Sequence, residues 1–583
     1  MKRPEELREN RWQVTAPVPH KIKQELSDIH PVLLQILYNR GIADRHQIQA
    51  FLDGHYLKST DPFLLPDMDK AVARVQQAIE QEETIVIYGD FDADGVTSTV
   101  LLTEALRGLG VDRRKAQPYI PDRVDEGYGL NTEALSHIRE KIGASLCISV
   151  DCGIRSVKEI EHAMAIGLDM IITDHHSLGP ALPPAVAIIN PKRPSSQYPE
   201  LMLAGVGIAF KLAQALRQTM PEQATFHDED LLDLVAIGTV ADLAPLLGEN
   251  RLLVTQGLKA LNKARRPGIR ALANVSGVKV GNMTAESIGF GLGPRINAAG
   301  RLAHAYDAAR LLAANNDMMA RRFANDLNEL NKARRQLTAE LGKKAESLAD
   351  PTAPITIVAD NEFVSGVVGL VASRLAEKNY RPAIIMEKGE TESRGSCRSI
   401  PGFHITEALD ETADLLERHG GHAQAAGFTV LNENLDAFTQ RMHDIAAAKL
   451  AELDLRPVLT IDAEIKLTQI DWALYENLQA LEPTGYANPA PVFISRFVEV
   501  VSHRTVGQDG SHLQLRVVDG QKGEQSPQIF SAIAFRQGVW ANQLPQFIDI
   551  VYAISVNEWR GRRSLQLVIQ DIRPAEMPIF QNA

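Results

Sequence analysis

Apolar residues in the first half of the chain gather into short unbroken runs, each stopped by a small group of polar residues. Thr84 to Tyr88 has the β-branched composition of a buried strand, Gly89 permits a sharp exit, and the stretch from Gly95 through Val96-Thr-Ser-Thr-Val-Leu-Leu102 opens a helix. Ser145 to Val150 is a second such run, followed by the helical stretch Ser156 to Ile166, and Met170 to Thr173 is a third. Strands that are apolar throughout and separated by helices predict a parallel sheet, whose carboxyl ends lie along one edge. Leu231 to Thr239 is apolar on every face and predicts a buried helix.

The pattern changes twice further on. Leu327, Leu330, Leu337, Leu341 and Leu348 recur at helical spacing among charged residues, predicting a long connecting helix within 306–349, with a coiled coil as the weaker alternative. Pro354 to Ala359 begins a new strand-and-helix pattern. From about 455 the chain becomes a series of short β runs: Val458 to Ile465, Val492 to Val501, His512 to Val518, Phe530 to Phe535, Ile548 to Val556 and Ser564 to Ile569. With turns such as Gln508-Asp-Gly510 between them, these predict a small barrel. The fold class is therefore α/β: two α/β lobes joined by a long helix, with a C-terminal β-barrel. The expected divisions are a mainly helical lead-in over 1–69, broken by Pro17, Pro19, Pro62 and Pro66, a first lobe over 70–305, the helix over 306–349, a second lobe over 350–453 and the barrel over 454–583.

At 583 residues the chain exceeds what one core can organise, consistent with roughly three or four domains. No apolar stretch approaches membrane-spanning length, and Met1-Lys-Arg-Pro-Glu-Glu6 is not a signal peptide, so a cytoplasmic protein is expected. Its three cysteines, Cys147, Cys152 and Cys397, form no zinc-type pair and fit reduced thiols. The net charge of -12 argues against a protein that coats nucleic acid by its overall field. Binding would fall to local basic strings such as Arg113-Arg-Lys115, Lys263-Ala-Arg-Arg266, Arg321-Arg322, Lys332-Ala-Arg-Arg335, Lys343-Lys344 and Arg560-Gly-Arg-Arg563, each of which alone is an ordinary solvated face.

The chemistry sits where the first runs end. The strand before Gly89 closes on Asp90-Phe-Asp-Ala-Asp94, the second on Asp151-Cys-Gly153, the third on Asp174-His-His176, and Asp242 follows the apolar helix. Asp90-Phe-Asp-Ala-Asp-Gly95 matches the opening of a calcium-binding EF-hand loop, but Leu101 stands where that loop needs a bidentate Glu. Carboxylates brought to one sheet edge repel one another, and divalent cations neutralise them. Carboxylates with one or two imidazoles suit manganese or magnesium, and five or more ligands suit two ions, which can clamp a phosphoryl oxygen and activate water.

These four motifs, in this order, resemble the DHH phosphoesterase superfamily and, within it, the RecJ family of single-stranded-DNA-specific exonucleases, from about residue 70 to near the C-terminus. The resemblance implies that Asp92, Asp94, Asp151, His175 and Asp242 hold two ions, manganese or magnesium. It places His176 beside the scissile phosphate, with Asp90 and Asp174 as supporting acids. Many relatives carry a His four residues before the position of Asp92. Here that residue is Tyr88, so Asp90 or water would stand in. The implied activity is hydrolysis of single-stranded DNA from its 5′ end, releasing 5′-mononucleotides, in recombination and repair. A single-strand-binding protein and a helicase are the implied partners, and a monomer is expected.

The second lobe would be the DHHA1 domain that closes over the substrate. Its strings Gly366 to Arg374, Ser393 to Ser399 and Gly420 to Gly427 put small residues around Arg, Ser and His, as a phosphate cradle requires. Ser396, Arg398 and His422 are candidate phosphate contacts there, with Arg295, Arg301 and Arg123 in the first lobe. The barrel would be an OB-fold that binds single strands, using the aromatic and cationic hairpin Trp559, Arg560, Arg562 and Arg563.

Overall fold

The computed structural model describes residues 4, 7–53, 60–122, 126, 127, 129–520 and 528–576. They form two compact units, one of residues 57–455 with 485–487, the other of 1–56, 456–484 and 488–583.

The larger unit opens with a five-stranded sheet in the order Ala116–Tyr119, Ile85–Gly89, Leu146–Val150, Asp169–Thr173, Ala187–Ile189, every pair parallel. Ile85–Gly89 and Leu146–Val150 are buried at every residue, which is why they read as continuous apolar runs. One register row carries Gly89, Val150, Thr173 and Ile189. The next residues, Asp90, Asp151, Asp174 and Asn190, therefore leave four adjacent strands side by side. Strand order reverses beside Ile85–Gly89, which opens a crevice at this carboxyl edge. Helices Ala93–Gly108, Gly205–Thr219 and Leu232–Ala241 pack together, and Leu232 to Val240 is buried at every residue, as its composition predicts. Gly89 is required by space more than by a turn, because a Cβ there would collide with Thr99 Oγ1.

The long helix is Asp317–Leu348, 32 residues, capped by the side chain of Asn316, which accepts from the Met319 amide. A separate helix, Tyr306–Leu312, precedes it, so the expected element divides before Asn316. Its buried stripe is Ala320, Ala324, Leu327, Asn331, Leu341 and Ala345; Leu348 is exposed. That stripe is covered by helices of the same unit, including Pro267–Ser276, Gly293–Leu302 and Ser365–Asn379, so no coiled-coil partner is needed. A second sheet follows in the order Leu416–His422, Ala425–Leu431, Glu392–Arg398, Ala383–Lys388, Thr356–Asp360, antiparallel except for the last pair.

In the smaller unit, Phe493–Val506, His512–Asp519, Phe530–Ala534, Arg562–Pro574 and Phe547–Trp559 form a sheet that closes when the last strand pairs with the first, a five-stranded barrel. The N-terminal segment is not simply a helical lead-in. It contains a strand, Arg11–Val14, which pairs in parallel with Val458–Ile461. Trp12 Nε1 and Asn10 Nδ2 donate to Asp571 Oδ2 at 2.8 and 3.0 Å, tying this segment to the last barrel strand. Among the described residues, no helix is long and apolar enough to cross a membrane.

Candidate metal centre

Asp92 caps the helix Ala93–Gly108: its Oδ1 accepts from the amides of Asp94 at 2.9 Å and Gly95 at 3.0 Å. Gly95 lets that first turn press against the strand exit, since a Cβ would meet the Asp90 backbone at 2.5 to 2.7 Å. Asp94 is buried, and its two oxygens accept from the amides of Gly205 at 2.7 Å and Val206 at 2.8 Å. Asp151 is held at φ 61°, a left-handed conformation costly for a side chain with a Cβ and typical of functional sites. Its amide donates to the Thr173 carbonyl, which directs its carboxylate over the sheet edge.

These groups converge. Ligand atoms of Asp94, His175 and Asp242 lie within 4.8 Å of one another, as do those of Asp151, His175 and His176, and those of Asp90, Asp92 and Asp151. Asp151 Oδ1 and His175 Nε2 face each other at 3.1 Å, yet neither, though buried, makes a hydrogen bond among the described residues. Such an orphaned acceptor pair in a dry pocket costs stability unless a cation completes it. The acids record the same crowding. Burial and the charge of Asp92 push Asp94 up to about 7. Burial with Asp94 and Asp92 pushes Asp242 up to about 9, and burial with four neighbouring carboxylates holds Asp151 well above its usual range.

The two imidazoles are differentiated by their surroundings. Burial, the charge of His176 and that of Lys192 press His175 down to about 3, leaving a neutral ring with a lone pair, and a backbone hydrogen bond at Leu203 orients it. His176 is the opposite case. Burial opposes its protonation, but Asp174 outweighs burial and raises it, through a 2.7 Å contact between Asp174 Oδ1 and His176 Nδ1. Asp174 is fully buried, and against that burial its bonds from the His176 ring, the His176 amide and the Ile154 amide keep it below its usual value.

Tyr88, in the place of the expected His, turns away from the acids. Its buried hydroxyl donates to the Gly129 carbonyl at 2.9 Å, and its ring stacks on Tyr119. Asp90, in contrast, shares a cluster with Asp92 and Asp151. Three contributors were missed in sequence. Lys192 Nζ donates to the His175 carbonyl, Asn190 Nδ2 donates to the His176 carbonyl at 3.0 Å, and Asn297 Oδ1 accepts from the Ala93 amide at 2.7 Å. A fourth short run, Ala187-Ile-Ile189, ends on Asn190 and was the available signal.

The phosphate candidates divide. Ser396 and Arg398 lie together on the strand Glu392–Arg398, the guanidinium donating to Ser396 Oγ at 3.1 Å. Gly369 approaches both so closely that a Cβ would sit 3.0 Å from each. His422 shares the register row of Arg398 two strands away, which puts both side chains on one face. Arg301 donates to the Gly366 carbonyl at 3.1 Å, joining the first lobe to the second. The Arg295 guanidinium donates to Asn328 Oδ1, the Gly291 carbonyl and the Val275 carbonyl, so it braces helices. Arg123 lies outside the described residues. In the smaller unit Trp559 is 69% exposed, Arg560 lies over its ring, and Arg563 lies over the ring of Trp472. Arg560 and Gly561, both at positive φ, make the hairpin turn that presents them.

Family models match three stretches of the chain: the DHH family, N-terminal domain, over 84–239; the DHHA1 domain over 353–448; and the RecJ OB domain over 461–571. The single-stranded-DNA-specific exonuclease RecJ of Bacillus subtilis is 38% identical over 581 residues, covering 98% of this chain and 72% of that one. The crystal structure of RecJ from Thermus thermophilus in complex with Mn2+ superposes with a TM-score of 0.82 at 30% identity, covering 97% of this chain and 80% of that one. Its complex with Mg2+ gives 0.77 at 28% identity, covering 97% and 79%. Identity at this level, sustained through all three domains in their order, means that the chain belongs to the RecJ family of single-stranded-DNA-specific exonucleases.

Proposed function

We propose that this chain hydrolyses phosphodiester bonds of single-stranded DNA with two divalent ions, manganese or magnesium. The observation that carries the reading is the meeting of Asp94, Asp151, His175 and Asp242, from four separate segments, at the carboxyl edge of one parallel sheet. Asp92, Asp94, Asp151, His175 and Asp242 would hold the ions, with Asp90 close enough to assist through its cluster with Asp92 and Asp151. The residues suit such ions, since hard carboxylate oxygens dominate and the buried Asp151 Oδ1 and His175 Nε2 make no hydrogen bond among the described residues. When bound, a pair of such ions neutralises phosphoryl oxygens and lowers the pKa of attacking water.

The chain's own residues do the rest. Asp174 orients His176 and favours its protonated form, so that the ring can donate to a phosphate oxygen as negative charge develops. The neutral His175 keeps its lone pair available. Ser396, Arg398 and His422 would contact substrate phosphates from the second lobe, and Trp559 with Arg560, Arg562 and Arg563 would stack bases and follow the backbone. Digestion runs from the 5′ end and releases 5′-mononucleotides, in recombination and repair, with a single-strand-binding protein and a helicase as partners. Buried, unpaired Cys147, Cys152 and Cys397 suit a reducing cytoplasm.

Single strands labelled at the 5′ or the 3′ end, digested with manganese or magnesium, test the reading. The 5′ label should appear first as a mononucleotide. Earlier release of the 3′ label would reverse the polarity, and no release with either ion would overturn the activity.

A further inference from the structure

The larger unit holds a second concave site, a cavity of about 820 Å³. It lies at the far ends of the two helices that carry Asp94 and Asp242, about 14 to 20 Å along their axes. Two basic strings that are distant in sequence meet there, bringing Arg113 and Lys263 to the same walls as Arg107 and Lys259. Arg113, Lys259 and Lys263 form no ion pair among the described residues. Arg107 donates one bond to the Ala116 carbonyl at 2.9 Å, while its buried Nε has no partner among the described residues.

Three of the four carboxylates on these walls pair with other cations of the same walls. Glu104 and Asp233 both pair with Arg266, and Asp230 lies 3.5 Å from Arg265. Glu229 alone among the lining acids lacks a cationic partner among the described residues. Six cations and four acids line the cavity, an excess of two positive charges in a chain whose net charge is -12. Burial and then the charge of Arg113 lower the proton affinity of Arg107, against the pull of Glu104. Leu232, Ala260, Pro267 and Leu312 supply an apolar wall in the same space. A volume of this size suits a ligand larger than a simple anion.

We propose that this cavity binds a free nucleotide, its phosphate held by Arg107, Arg113 and Lys259 and its base laid against the apolar wall, at a site separate from the metal cluster. Guanidinium and ammonium donors match phosphate oxygens, and a flat base covers small apolar side chains without needing a fixed hydrogen-bond pattern.

The test is isothermal titration of the full chain with 5′-dAMP in EDTA, beside deoxyadenosine and inorganic phosphate. Arg113 and Lys259 are exposed, so a double variant Arg113→Glu, Lys259→Glu keeps its fold, which its thermal midpoint without ligand reports. The double variant should bind dAMP roughly a hundredfold or more weakly, the loss expected from removing two charge-assisted contacts, while Asp151→Ala binds as the wild type does. Equal affinity in the double variant, loss of binding in Asp151→Ala, or no binding to the wild type would overturn the site. Inorganic phosphate binding as tightly as dAMP would overturn the nucleotide assignment, and deoxyadenosine doing so would overturn the role of the cations.

Discussion

Replacing Gly205 by alanine places a methyl group where Asp151 already stands. A Cβ on Gly205 would lie 2.7 Å from both Cβ and Oδ1 of Asp151 and 2.9 Å from its Cγ. Favourable carbon contacts begin near roughly 3.5 Å, so one of the two residues must give way by about 0.8 Å. Asp151 is pinned by its left-handed backbone and its bond to Thr173, and Gly205 by the bond from its own amide to Asp94 Oδ2. The strain therefore falls on the two carboxylates. Metal ligands tolerate displacements of about 0.2 Å, and disturbing the groups that position ligands costs roughly 10- to 100-fold in metal affinity. Gly205→Ala is expected near the upper end of that range, with about 1 to 3 kcal/mol lost from overpacking. Gly207→Ala is the control on the same helix, because its Cβ would meet Leu203 side-chain carbons at no less than 3.5 Å. Manganese titration of both variants by calorimetry and by release of a 5′ label gives the comparison. Unchanged manganese affinity in Gly205→Ala, or an equal loss in Gly207→Ala, would refute the argument that this packing sets the ligand geometry.

Asp174→Asn removes the charge that keeps His176 protonated; turnover should fall roughly a hundredfold while manganese affinity, read by calorimetry, stays within a few-fold. In metal-free protein, Asp94 and Asp242 hold protons up to about 7 and about 9 that the unfolded chain releases near 3.8. The folded state thus binds more protons across that window, so the thermal midpoint in EDTA should fall as pH rises from about 4 to 9, and the gain on adding manganese should grow; a flat profile would count against the crowded-acid account. Arg295→Ala should lower stability to urea by about 1 to 3 kcal/mol and leave the length distribution of products unchanged, since its donors are committed within the fold; altered product lengths at normal stability would restore it as a substrate contact.

Much of the candidate site was legible because parallel strands advertise themselves. A strand buried on both faces must be apolar throughout, so the first acid after it marks the sheet edge, and Asp90, Asp151 and Asp174 could be placed on one edge from run lengths alone. Lys192 and Asn297 escaped because their roles are exercised through backbone groups of residues far along the chain, and such pairings leave no periodic trace. The N-terminal strand was hidden for the same reason. Arg11–Val14 acquires its identity from Val458–Ile461, so a fragment ending near residue 453 would leave it without its partner.

Sequence by itself determined the kind of chemistry: acids and imidazoles after apolar strands, a long helix, then a barrel. Periodicity and chain direction are local properties, and they carry that much. Tertiary structure alone decided which atoms face one another. It turned Tyr88 to the Gly129 carbonyl, committed Arg295 to Asn328 and two carbonyls, left Asp151 Oδ1 and His175 Nε2 opposed without a hydrogen bond among the described residues, and separated the two histidines into a neutral and a protonated ring. Each outcome depends on burial and on the nearest donor or charge, and although Asp174 acts on His176 from two positions away and Gly291 on Arg295 from four, the burial and the other partners come from residues tens of positions away.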